Sequence, residues 1–306
     1  MPPSVTLLGP QRRPTLDRVL AALDVRGPIA AVTAGWQERE TDDAELMSLL
    51  GERGLNLRLH ARWMDVLQAD PDYARAEREH RVVLDELQQL YLLRLDHALR
   101  ATYAVAHRTD GHPRIQAIAL DDALAVVQQI DEMHLGRIAE LRAAFRDAWQ
   151  PYDREMVVKH REEVAGALLH ADCLVVAGGH VGDLLAVLDL FRVADGLPHR
   201  IVAWSAGAMA LTDRVVLFHD RAAHAPAQAE LLDTGLGVAP GFVALPHARR
   251  RLRTDDLLRM SVLARRFAPA RCLVLDDGVT VDLDAGAPPA QARVIDPDGR
   301  IVEVDV

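Results

Sequence analysis

The chain is almost without lysine: Lys159 is the only one, and every other basic residue is an arginine or a histidine. Chemistry built on lysine, such as a Schiff base, a phosphate-binding Walker loop or a Ser–Lys dyad, therefore rests on one residue or is absent. Cysteine is nearly as scarce. Cys173 and Cys272 lie in the apolar runs ADCLVVAGG and ARCLVLDDG, and no CxxC pair occurs. That excludes a disulfide framework and a cysteine zinc site, and both thiols are expected to be buried. Long hydrophobic runs are missing: no stretch approaches the roughly 18 residues of a membrane span, and the opening MPPSVTLLGPQRRP lacks a signal-peptide pattern. A soluble cytoplasmic protein with no membrane partner is the expectation. Positive charge is short as well. The net charge of −10 argues against a nucleic-acid partner.

What is present is a globular chain. Of its 306 residues half are hydrophobic and 26% are charged, enough to bury a sizeable core and too apolar for disorder. One large domain or two modest ones follow from the length. Ser4–Leu8, Pro28–Ala34 and the alternating run Leu55–Ala61 read as strands. Thr15–Leu23 and Glu40–Leu50 read as the helices between them. This order predicts a mainly parallel sheet with helices on its faces, an α/β three-layer sandwich. From about Asp65 to Ala171 the pattern is helical: Ala74–His107, Ile115–Trp149 and Asp153–His170, broken at 109–113 and at Pro151. Strands return at Cys173, at Arg200–Trp204, Val215–His219, Phe242–Leu245, Cys272–Leu275, Val279–Asp282 and Ala292–Ile295. Ala227–Leu231 reads as a short polar stretch, and Asp183–Val193 and Thr254–Ala268 as helices. The division expected is an α/β catalytic domain of residues 1–64 and 172–306, interrupted by a helical insertion of residues 65–171.

The segment that carries chemistry is Ile201-Val-Ala-Trp-Ser205-Ala-Gly207-Ala-Met. An apolar strand runs into a serine flanked by small residues, and a helix follows at once. That is the form of a nucleophile elbow, although Ser-Ala-Gly departs from the G-x-S-x-G spacing of α/β-hydrolases. The turn places the Ser205 hydroxyl at a helix N-terminus, where free N–H groups favour an oxyanion. The alternative is that Ser205 only caps the helix. One β-α unit earlier, Val175-Val-Ala-Gly178-Gly179 ends a strand in paired glycines, whose backbone offers the other half of an oxyanion hole.

These two segments, with Pro246-His247-Ala-Arg-Arg-Arg251-Leu-Arg253 and Leu275-Asp276-Asp277-Gly278, resemble the dipeptidase E and cyanophycinase family of serine peptidases. The fold of that family is similar to the class I glutamine amidotransferase domain, with serine in place of cysteine. The resemblance spans the N-terminal strands and roughly residues 172–283. It implies Ser205 as nucleophile, His247 as general base and Asp220 as the acid, with Asp276 and Asp277 as fallbacks. Gly179 and Ala206 then supply the oxyanion N–H groups, and Gly178 allows the close approach. Arg251 and Arg253, in a cluster with Arg249 and Arg250, are the expected substrate-binding residues, and guanidinium groups suit a substrate carboxylate. His219 and His224 remain alternative bases. Two departures mark the specificity as its own: Leu245 stands where cyanophycinase-like sequences carry an acid, and His180-Val-Gly-Asp183 replaces their glutamine-bearing loop. The helical insertion has no counterpart in the family core either.

Within the insertion, Glu77-x-x-His80 and Asp131-x-x-His134 have the spacing of a di-iron bundle, but such spacings arise readily in a charged helix. No metal and no cofactor are expected. A lid over the site or a dimerisation element is the role expected for the block. The first functional hypothesis is a serine hydrolase acting on a small peptide or amide through a Ser–His–acid triad and an acyl-enzyme. The second is a catalytically inactive amidotransferase-like binding protein whose helical insertion is the partner surface. An esterase or amidase with the same machinery is the third.

Overall fold

The computed structural model describes residues 3–12, 14–108, 110–218, 228–283 and 290–306. Strands β1 (Ser4–Leu8), β2 (Ile29–Val32), β3 (Gly54–Asn56), β4 (Cys173–Val176) and β5 (Arg200–Trp204) pair in parallel in the order β1-β5-β4-β2-β3. The central runs β2 and β4 are apolar and buried throughout, because both faces are covered. On one face Ile29, Ala31, Val175 and Val202 join Leu16 and Leu20 of α1 (Leu16–Ala22) and Leu46 and Leu50 of α2 (Ala44–Leu50). On the other, Ala30, Val32, Leu174 and Ile201 join Trp63 and Val66 of α3 (Leu59–Ala69), together with residues from later helices. The strand period of two thus sorts neighbouring residues into two helical layers.

Two long helices follow, α4 (Pro71–Ala106) and α5 (Pro113–Trp149), each about 55 Å at 1.5 Å per residue. Gln88 meets His134 and Tyr91 meets Asp131, so the two run antiparallel. Both start with proline at the first turn, where a missing N–H costs nothing. The Asp70 carboxylate caps α4 by accepting from the Tyr73 N–H. Helix α6 (Glu155–His170) returns the chain to the sheet, where Val157, Val164 and Leu168 complete the second layer with Leu184 and Leu188 of α7 (Val181–Leu190).

After β5 come α8 (Ala206–Leu211), β6 (Arg214–Leu217) and β7 (Glu230–Thr234), the two strands pairing antiparallel. Strands β8 (Phe242–Pro246) and β9 (Arg271–Leu275), separated by α9 (Ala248–Arg251) and α10 (Leu257–Phe267), pair in parallel. Strand β10 (Thr280–Asp282) turns back to close the first sheet, antiparallel to β1. Strands β11 (Gln291–Ile295) and β12 (Ile301–Asp305) extend the β8–β9 pair into a second, four-stranded sheet. The α4–α5 pair packs here: Tyr91, Leu95, Leu99, Leu124 and Val127 share a cluster with Val216, Leu231, Val243 and Met260. No helix among the described residues is long and apolar enough to cross a membrane.

Several sequence expectations are corrected. Of Leu55–Ala61 only the first residues are strand. Asn56 turns its amide to Thr33 and Asp43, Arg58 adopts a left-handed conformation, and the chain is helical from Leu59, ahead of the expected Asp65. The expected helix Glu40–Leu50 is split into a 3-10 stretch, Ala34–Thr41, and α2. The polar stretch near Ala227–Leu231 contributes β7, because Glu230 and Asp233 find partners in Gln88 and Arg142 of the long helices. Of the later strands, β8, β9, β11 and β12 form a second sheet, β6 and β7 a pair of their own, and β10 joins the first sheet.

Candidate active site

Three parallel strands end together at a cluster of glycines. A Cβ on Gly178, after β4, would lie 2.8 Å from the Ser205 Cβ. One on Gly207 would meet the Val176 carbonyl oxygen at 2.3 Å, and one on Gly35, after β2, the Gly178 oxygen at 2.9 Å. Glycine is therefore required at Gly207 and Gly35 by contact with backbone, and at Gly178 by the Ser205 side chain itself. Gly35 marks a strand end in the sequence but is missing from the expected site. Its contact is between segments more than a hundred residues apart, which spacing does not reveal.

Ser205 has φ 51° and ψ −121°, a region that costs an L-residue about 1–3 kcal/mol. The strain is held because β5 and α8 on either side are buried. The hydroxyl makes no capping bond to α8, so the helix-cap reading does not describe it. Ala206 opens the helix. Among the described residues neither its N–H nor that of Gly179 donates to a backbone carbonyl outside the regular elements.

His247 follows β8 in a left-handed conformation, its N–H donating to Leu275 O at 3.0 Å. Among the described residues its buried Nδ1 has no hydrogen-bond partner, and the Asp277 Oδ1 lies 3.9 Å away. Burial first, then the Arg251 charge, holds the imidazole below its usual pKa, with Asp277 opposing. Asp276 faces elsewhere: its Oδ1 accepts from the Arg249 N–H at 3.1 Å, and its Oδ2 lies 3.4 Å from Arg249 Nε. Asp220, His219 and His224 lie outside the described residues.

Gly178, Gly179, Ser205, Ala206, His247 and Arg251 line one cavity of about 1030 Å³. Arg251 is half-buried there. Burial and Arg250 lower its pKa, and no carboxylate among the described residues forms an ion pair with it. Arg253 is exposed and is not part of the cavity wall. The opposite wall is helical: Trp63 from α3, Glu77, His80 and Arg81 from α4, and Arg142 and Phe145 from α5. His80 stacks on Phe145 with ring centroids 4.4 Å apart. Three of the four tryptophans, Trp36, Trp63 and Trp204, line this cavity.

The two carboxylate–histidine spacings are resolved into other pairings. Glu77 binds Arg81, while Asp131 binds Arg266 through both oxygens. Among the described residues no group of three or more His, Cys, Asp or Glu is placed to hold a metal ion. Both cysteines are buried, and burial pushes each thiol up to about 12, far from the range of a reactive thiolate.

No protein-family model matches the chain, and no curated protein does. Among solved structures it is similar to a peptidase from an acI-B1 Actinobacterium, with a TM-score of 0.50 at 12% identity. The alignment covers 100% of this chain and 94% of that one, so the likeness of fold runs through the long helices as well as the sheets.

Proposed function

We propose that the chain is a serine hydrolase of peptidase type with an amidotransferase-like arrangement, in the manner of dipeptidase E and cyanophycinase. The observation that carries this is Ser205 in its strained turn, against Gly178 and in one cavity with His247. The Ser205 Oγ attacks a substrate carbonyl carbon and its proton passes to His247. The carbonyl π electrons move to oxygen, where the Gly179 and Ala206 N–H groups receive the charge. Collapse expels the amine, which takes the proton from His247 and leaves an acyl-enzyme. Water then attacks, again deprotonated by His247, and the serine is regenerated. Asp277 is the described acid nearest His247 and is the choice for orienting it; Asp220 remains the alternative.

The Arg251 guanidinium, without a carboxylate partner among the described residues, favours a substrate bearing a free carboxylate. The solved peptidase of like fold favours a peptide. The helices of residues 65–171 act as a lid that limits substrate size. The test is hydrolysis of a library of short peptides with and without free C-terminal carboxylates. Carboxylate-bearing members are cleaved by the wild type and not by Ser205→Ala; equal cleavage by both proteins contradicts the assignment.

A second reading, a non-catalytic binding protein, is favoured by the exposed Val82, Val83, Leu90 and Leu93 on α4, a partner surface if the helices act that way. It predicts no cleavage anywhere in the library and a second copy or another protein bound through α4.

A further inference from the structure

We infer that Arg81 and Asp183 are a positioning pair through which the long helix α4 holds the Gly178–Gly179 loop against Ser205. The inference rests on the serine hydrolase reading. Asp183 stands in the first turn of α7, directly after Gly178-Gly179-His180, and is 7% exposed. Its Oδ1 accepts from Arg81 at 2.9 Å, and its Oδ2 from the Gln37 side chain at 2.6 Å. His180 Nδ1 lies 3.1 Å from that Oδ2 and the same distance from the Asp183 backbone N–H, from which it accepts a helix-capping bond. Gln37 is itself in a left-handed conformation, φ 58°, in the segment that begins with Gly35. Gly35 O in turn accepts from the His180 N–H at 2.6 Å. The Arg81 guanidinium is fixed from the other side, 4.4 Å above the Trp63 ring and paired with Glu77.

The segments after β2 and β4 and the helix α4 therefore converge on one buried carboxylate. Burial alone would raise the Asp183 pKa; the adjacent His180 ring and the hydrogen bonds from Gln37 and Arg81 reverse that and hold it far below the ordinary carboxylate range. The glycines beside Ser205 have no side chains with which to hold themselves. An oxyanion donor acts only at a defined distance from the developing charge, and losing one costs about 10²- to 10³-fold in rate. A loop released from Asp183 loses part of that.

The test is the second-order rate of Ser205 phosphonylation by an alkyl fluorophosphonate, followed by intact mass. It compares wild type, Arg81→Ala, Arg81→Lys, Asp183→Asn and the Arg81→Ala/Asp183→Asn double variant. Each of Arg81→Ala and Asp183→Asn is expected to slow labelling about 10- to 100-fold. Arg81→Lys recovers most of the rate, and the double variant is no slower than the slower single one, as expected for one shared interaction. The acid limb of the rate against pH stays in place, since His247 is not touched. The isosteric Asp183→Asn carries the test if Arg81→Ala does not fold. Single variants within about twofold of wild type, independent losses in the double variant, or a shifted acid limb overturn the inference. A wild type that labels no faster than Ser205→Ala overturns the hydrolase reading and this inference with it.

Discussion

In the proposed mechanism His247 serves as base only while neutral. Burial and the Arg251 charge favour the neutral imidazole, so the acid limb of kcat/KM is expected below the ordinary histidine value of about 6.5. Replacing Arg251 with glutamine removes the strongest of the neighbouring positive charges that lower it. The limb then moves to higher pH, and KM rises for carboxylate-bearing peptides; a pH–rate series on both proteins reads this. Gly207 gives a second residue-scale expectation. A methyl group there meets the Val176 carbonyl oxygen at 2.3 Å, so Gly207→Ala should cost about 1–3 kcal/mol in urea denaturation. The elbow was legible in the sequence because its strand, serine and glycine are consecutive. The acid beside His247 was not, since Asp276 and Asp277 are neighbours in sequence and only their turn decides that Asp277 faces the ring while Asp276 binds Arg249.

The α4–α5 pair is joined to the second sheet by a buried polar network. Arg266 of α10, 2% exposed, reaches both oxygens of Asp131, the Tyr91 hydroxyl and the Ala229 carbonyl. Removing one partner of a buried ion pair strands the other, at about 3–5 kcal/mol. Asp131→Ala is therefore expected to lower the urea midpoint steeply, while Asp131→Leu with Arg266→Met recovers much of the loss. His134 stacks on Tyr91 with centroids 4.0 Å apart and bonds Gln88; burial pushes its pKa down to about 4. An unfolded chain takes up that proton near 6.5, so the stabilisation is complete above that pH and is lost as pH falls towards 4. Denaturation midpoints at pH 7 and pH 5 should differ in that direction, and by less in His134→Gln. The sequence showed the helices and both of their breaks through apolar spacing and proline. It did not show what the Asp131-x-x-His134 spacing is for, because Arg266 lies 135 residues further on.

At the scale of the molecule, a sheet edge of glycines faces a wall of long helices across one cavity, and the charged pair Arg81–Asp183 crosses between them. The parallel sheet was legible from fully apolar runs between helical ones. The second sheet was not, because β8 and β9 have the same apolar character as the central strands and only pairing separates them. Buried residues of α4 and α5 share one cluster with strands of that sheet. A chain lacking residues 71–149 is accordingly expected to lose cooperative unfolding, which circular dichroism in urea would register. The proposed chemistry depends on Ser205 being an activated nucleophile, and peptide mapping after treatment with a fluorophosphonate tests this most directly. The prediction is one adduct, on Ser205, absent in Ser205→Ala and formed far more slowly in His247→Ala. An unmodified Ser205, or an adduct formed equally well without His247, would contradict it.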